Sequence, residues 1–210
     1  MEHTTSTGEI GFVFEELMGK TIGALVGPMN MRGWKVRLLS EQGIRDAFNE
    51  QSLNGVDHMF EVEDTGGFVT LFLIQEKWKF VTNQREVSQF LDCCSRILTR
   101  IPSNRRHRVA RLWVTRSQPS LNGDKSLQEG GAYVIQCMTS QTLLAQITGQ
   151  IICEMLNARD LATEMIAAMP SLLPTVKPAN PVTLDESKTA PQLNPPNYKT
   201  HVTVQKTSVA

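Results

Sequence analysis

The chain has 210 residues and a mass of 23.4 kDa, room for one ordinary domain with tails or for two very small ones. Hydrophobic residues at 40% and charged residues at 20% lie near the globular average, which excludes a wholly disordered or fibrous chain. The formal charge is zero, yet residues 77–116 hold ten Lys or Arg against two acids, a local basic field able to face a polyanion.

Residues 1–36 mix six glycines with short apolar pieces such as Ile10–Phe14 and Ile22–Val26. The glycine spacing argues against a long helix, so the segment reads as an N-terminal extension packed on the core, with at most a short helix over Glu15–Lys20. Regularity is expected from Ser40, an N-cap before a helix carrying Ile44, Ala47 and Phe48. His58–Glu63, an Asp64-Thr65-Gly66-Gly67 turn and the apolar run from Phe68 to Lys79 predict a hairpin whose second strand is covered on both faces. Gln84–Thr99 has the spacing of an amphipathic helix that ends before Pro102.

A basic loop, Ser103–Arg108, leads into a strand over Val109–Thr115; a short strand over Ala132–Cys137 and a helix from about Ser140 through Leu156 follow. A last helix over Asp160–Met169 is expected to stop at Pro170. The final 41 residues hold seven of the ten prolines and read as a disordered tail. The resulting domain plan is an extension over 1–36, an α/β domain with a mixed sheet flanked by helices over 37–169, and a Pro-rich tail over 170–210, available to a protein partner.

No apolar run approaches the roughly 18 to 20 residues that span a bilayer, and the first residues lack the basic flank and apolar stretch of a secretory signal. A soluble intracellular protein, cytoplasmic or nuclear, with no membrane partner is expected. Cys93, Cys94, Cys137 and Cys153 include no C-x-x-C pair, so free thiols are expected and structural zinc is not. The sequence has no phosphate-binding G-x-x-x-x-G-K-[ST] loop, no G-x-S-x-G elbow, no H-E-x-x-H and no G-x-G-x-x-G after a strand. Nucleotide hydrolysis, serine hydrolase chemistry and dinucleotide binding are therefore poor matches.

The informative stretch is Gly55-Val56-Asp57-His58, a hairpin, and then Leu73-Ile74-Gln75-Glu76-Lys77-Trp78. Phosphodiester hydrolysis needs an oxygen-ligated divalent cation and a protein cation near the scissile phosphate. Asp57 can supply a metal ligand. Period-two geometry puts Gln75 and Lys77 on one face of their strand, so a carbonyl ligand and an ammonium stand side by side, with Glu76 on the opposite face. The hairpin folds Asp57 back toward them. His58 reads as a packed residue and His107 as a loop residue, while Trp34, Trp78 and Trp113 read as core anchors, Trp78 being placed where it could also pack on a sugar.

These residues resemble the PD-(D/E)xK nuclease superfamily, and within it the Mrr-like restriction endonuclease group, which shows G-[IV]-D, a hairpin and Q-x-K. Leu112–Ser117, Ser126–Gly130, Tyr133–Gln136 and Leu143–Ile147 resemble later elements of that fold, so the likeness covers about residues 38–156. The resemblance implies a restriction-endonuclease-like sheet and a metal-dependent endonuclease acting on nucleic acid, with DNA the expected polymer. It implies Mg²⁺ or Mn²⁺ on Asp57 and Gln75, with Lys77 as the catalytic cation. The first helix of such folds often adds a carboxylate, for which Glu50 or Glu41 is the candidate here. Lys79, Arg96, Arg100, Arg105, Arg106 and Arg108 are the candidates for backbone contact. Cutting both strands with one site per chain implies a homodimer. The alternative is a catalytically degenerate nuclease fold serving as a nucleic-acid-binding or assembly module, which has no need of Asp57. A scaffold that binds only protein would show no affinity for nucleic acid even at low salt.

Overall fold

The computed structural model describes residues 7–79, 81–102, 107–172 and 203–205. The elements are α1 (Thr7–Gly23), α2 (Val26–Met31), β1 (Lys35–Ser40), α3 (Glu41–Phe48), β2 (His58–Glu63), β3 (Val69–Lys77), α4 (Gln84–Leu98), β4 (His107–Thr115), α5 (Leu121–Glu129), β5 (Ala132–Gln136), α6 (Gln141–Met155), α7 (Arg159–Leu172) and β6 (Thr203–Gln205). The strands form one sheet in the order β1-β2-β3-β4-β5-β6. β1, β2 and β3 are antiparallel neighbours, β3, β4 and β5 run parallel, and β6 closes the far edge antiparallel to β5. The result is an α/β fold with a mixed sheet between two helical layers.

β3 carries the fold because both of its faces are buried. Phe72 and Ile74 join Phe60, Leu112 and Val114 under α1, α6 and α7. Leu71 and Leu73 join Met59 and Trp113 under α3, α4 and α5. A strand covered on both sides must be continuously apolar, which explains the run Val-Thr-Leu-Phe-Leu-Ile at its start. The hairpin turn is held by Asp64, whose Oδ1 accepts from Gly66 N (2.8 Å) and Phe68 N (2.9 Å). On α4, Asn83 and Glu86 form a reciprocal capping box that fixes where the helix starts.

The N-terminal segment departs from expectation. It is no loose extension: α1 runs for 17 residues and buries Phe14, Leu17, Met18 and Ile22 in the core. Gly19, counted against a helix, is where α1 meets β2, since a Cβ there would stand 2.9 Å from His58 Nε2. The glycine costs about 1 kcal/mol of helix propensity, and close packing offsets it. Regular structure also starts earlier than Ser40. Lys35–Ser40 forms β1 on the sheet edge, where Lys35 Nζ bonds Glu63 Oε1 at 2.7 Å. Ser40 is the N-cap of α3, accepting from Gly43 N.

Elsewhere the boundaries shift modestly. β4 begins at His107, α5 already at Leu121, and α7 continues through Pro170 to Leu172. A proline in the last turn removes one ladder hydrogen bond without forcing an immediate stop. Apart from the end of α7 and residues 203–205, the expected disordered tail lies outside the described residues. All four cysteines are free and buried. Among the described residues no helix is long and apolar enough to cross a membrane.

Phe90 joins α4 to the sheet through an edge-on contact with Trp113, ring centroids 5.4 Å apart, and both side chains are fully buried. Phe90→Ala should therefore lower unfolding stability by about 3–5 kcal/mol. Val81→Ala, at a largely exposed position, should change it by less than about 0.5 kcal/mol. Urea denaturation of the two variants checks both values.

Candidate active site

The site lies where β2 begins and β3 ends. Gly55 adopts φ +108°, a conformation that L side chains rarely take, and a Cβ there would stand 3.0 Å from the backbone of Gln89 on α4. This close approach brings the chain into β2 so that Asp57 N donates to Ile74 O at 2.8 Å. Asp57 then faces the last residues of β3. Its Oδ2 accepts from the Glu76 backbone N–H at 2.6 Å and from the Gln75 side-chain amide, and Lys77 Nζ stands 4.0 Å from the same oxygen. Gln75 and Lys77 thus share one face of β3 with Asp57. Gln75 turns its amide nitrogen, not its carbonyl oxygen, toward Asp57; rotating the amide by 180° exchanges the two atoms.

Glu76 occupies the opposite face. Its Oε1 meets His58 Nδ1 at 2.8 Å, and its Oε2 is buried without a hydrogen-bond partner. Burial pushes the Glu76 carboxyl up to about 7, against the lowering effect of His58. Burial pulls His58 down, but the bond to Glu76 and the charges of Glu76, Asp57 and Glu15 outweigh it and leave His58 raised. Asp57 is also raised, by burial first, although Lys77 and the Glu76 N–H act the other way.

A cavity of ≈ 290 Å³ opens in front of Asp57, Gln75 and Lys77, with Glu15, Glu41 and Glu86 in its wall. Glu15 escaped the sequence reading. It comes from α1, and its pKa is raised by burial and next by the charge of Asp57. One signal was available. On a helix whose buried stripe is Phe14, Leu17, Met18 and Ile22, Glu15 stands beside Ile22 at the border of that stripe, placed to look over the end of the sheet.

Of the two carboxylates expected from the first helix, Glu41 lines this cavity and Glu50 does not. Glu50 is bound to Arg96 and Arg100, and it accepts from Ser52 Oγ at 2.7 Å. That network ties the loop after α3 to α4. It also engages two of the expected backbone-binding arginines. Lys79 pairs with Glu86, and Arg108 donates to the Met155 carbonyl, while Arg105 and Arg106 lie outside the described residues.

Among the described residues no group of three or more His, Cys, Asp or Glu is arranged to hold a metal ion. The cavity wall carries four carboxylates, Glu15, Glu41, Asp57 and Glu86, of which Asp57 and Glu41 act on Glu15 by charge, together with the Gln75 amide. Hard oxygen donors of this kind suit Mg²⁺ or Mn²⁺ better than zinc or copper. No family model, curated protein or solved structure matches the chain.

Glu15, Asp57, His58 and Glu76 all hold their protons more tightly in the fold than in the free state. The folded chain therefore binds more protons than the unfolded chain, and stability falls as pH rises. For Glu76 this contribution is full below 4.5 and lost by about pH 7. The urea midpoint should decline across that window, and Glu76→Gln, which can still bond His58, should flatten the decline. An unchanged slope in the variant would remove Glu76 as its source.

Proposed function

We propose that this cleft is the catalytic site of a metal-dependent endonuclease of the PD-(D/E)xK type, with the Mrr-like arrangement and DNA as its substrate. The observation that supports it is the meeting of Asp57, Gln75 and Lys77 on one face of the sheet, with Glu15 brought to the same cavity by the first helix. Glu15 takes the place in this reading that Glu50 held on sequence alone, and Glu41 keeps its place in the same cavity wall.

Mg²⁺ or Mn²⁺ held by Asp57 and Glu15, with the Gln75 carbonyl after an amide turn, would supply an acidified water and charge neutralisation at the scissile phosphate. Asp57 is held in position by the Glu76 N–H, so its second oxygen keeps one direction relative to the cleft. Lys77 stands beside it as a fixed cation, placed to bond a non-bridging phosphate oxygen as negative charge builds in the in-line attack. The buried apolar sheet below excludes water from one side of these groups and strengthens their fields. Lys77 and Arg116 stand closest to this end of β3 and would bear the backbone contact, while Lys79 is paired with Glu86 and Arg96 and Arg100 with Glu50. One such site per chain cuts one strand, so cleavage of both strands calls for two copies.

Purified protein should nick or cut DNA with Mg²⁺ and not with EDTA. Asp57→Ala, Lys77→Ala and Glu15→Gln should each lower the rate by about 100-fold or more. Glu50→Gln should leave the rate within about threefold, since its partners are structural. Undiminished cleavage in both Asp57→Ala and Lys77→Ala rejects the assignment. Salt-dependent DNA retention with no metal response and no cleavage favours the non-catalytic binding module instead.

A further inference from the structure

We infer that the groove leading from Lys77 past Trp78 to Phe12 is a stacking platform for an unpaired nucleobase next to the scissile phosphate, so that the preferred substrate is single-stranded or locally opened DNA. The inference rests on the nuclease reading and adds to it the form of the substrate.

A second cavity of ≈ 340 Å³ shares Glu15, Lys77 and Glu86 with the first and continues past Trp78 and Lys79 to Gly11 and Phe12 on α1. The two form one cleft with a polar end at Asp57 and an aromatic end at α1. Phe12 is 67% exposed there, while Phe14, two residues on, is wholly buried. Gly11 in the same wall adds no side chain, and nothing lies within 4 Å of where its Cβ would stand, so the cleft is open there.

The wall opposite is firm. The Trp78 indole is held by the Phe14 ring, centroids 5.4 Å apart, and by the Arg116 guanidinium 5.2 Å from its own centroid. Lys77 and Lys79 line the path from Asp57 toward α1 together with Glu15, Glu76 and Glu86, Lys79 being paired with Glu86. The nuclease reading brings a phosphate chain to Lys77, and the ring at the end of the path selects its form. A base in a duplex has both π faces covered by its neighbours and offers only its edges to a groove. An unpaired base exposes a face, and a solvent-exposed phenylalanine gains from covering it. The same cleft would give a duplex the cations without the ring.

The test is fluorescence anisotropy in EDTA, where nothing is cut, using the full chain with a labelled 15-nucleotide oligo-dT and a matched blunt duplex. The native chain should bind oligo-dT more tightly than duplex. Phe12→Ala should weaken oligo-dT binding by about tenfold or more with little effect on duplex, and Phe12→Tyr should restore it. In Mg²⁺, the same variant should raise KM on a bubble substrate more than it lowers kcat. Equal loss on both ligands, or no loss on either, overturns the platform, as does a drop in molar mass by light scattering in Phe12→Ala, which would assign Phe12 and Val13 to an interface between copies. The two readings separate cleanly. Cleavage that depends on Asp57 but not on Phe12 leaves the nuclease standing without the platform, whereas a chain that binds neither oligonucleotide in EDTA and cuts neither in Mg²⁺ removes both.

Discussion

The bond between Asp57 Oδ2 and the Glu76 backbone N–H ties the start of β2 to the end of β3 at a point where the ladder itself gives out. The last ladder pair there is His58 with Ile74; beyond it Asp57 N still reaches Ile74 O, and the carboxylate takes the next donor along β3. A side chain therefore continues the sheet by one step. Because the donor belongs to the residue between Gln75 and Lys77, the bond aligns Asp57 with both of their side chains. A one-residue slip of this hairpin would move Gln75 and Lys77 to the far face and leave Asp57 facing the Glu76 side.

That alignment concentrates ionisable groups under low dielectric. Asp57 and Glu15 are raised by burial on the cleft side, and His58 and Glu76 face each other behind it, with one Glu76 oxygen unsatisfied. A sheet built only for stability would place apolar residues at these positions, as it does at Phe72 and Leu73. Sites arranged for chemistry commonly oppose stability in this way. The surrounding scaffold absorbs the penalty through two large apolar layers and the Glu50–Arg96–Arg100 network, which holds the loop leading to Gly55 against α4.

Much of this was legible in the sequence because it depends on short-range rules. Alternation and the Asp64 turn located the hairpin, period two placed Gln75 and Lys77 together with Glu76 opposite, and the Ser40 cap set the start of α3. What escaped depends on contacts between distant segments. The glycines of α1 argue against a helix until His58 is seen to occupy the space at Gly19. Glu15 looks like any flanking acid until α1 is laid across the sheet end. Glu50 looks like a ligand until two arginines some 50 residues later claim it. Charge counting likewise marks 77–116 as basic without saying which cations are engaged internally; Arg96, Arg100 and Arg108 all are.

The outer edge of β5 meets Thr203–Gln205, a segment far down the chain from every other strand of the sheet. During synthesis that edge is complete as soon as β5 has emerged, but its covering strand comes last. For that interval the nascent sheet presents unpaired N–H and C=O groups to its neighbours on the polysome, and exposed edges of this kind recruit other chains. Until Thr203–Gln205 pairs with β5, that edge of the sheet stays open to other chains.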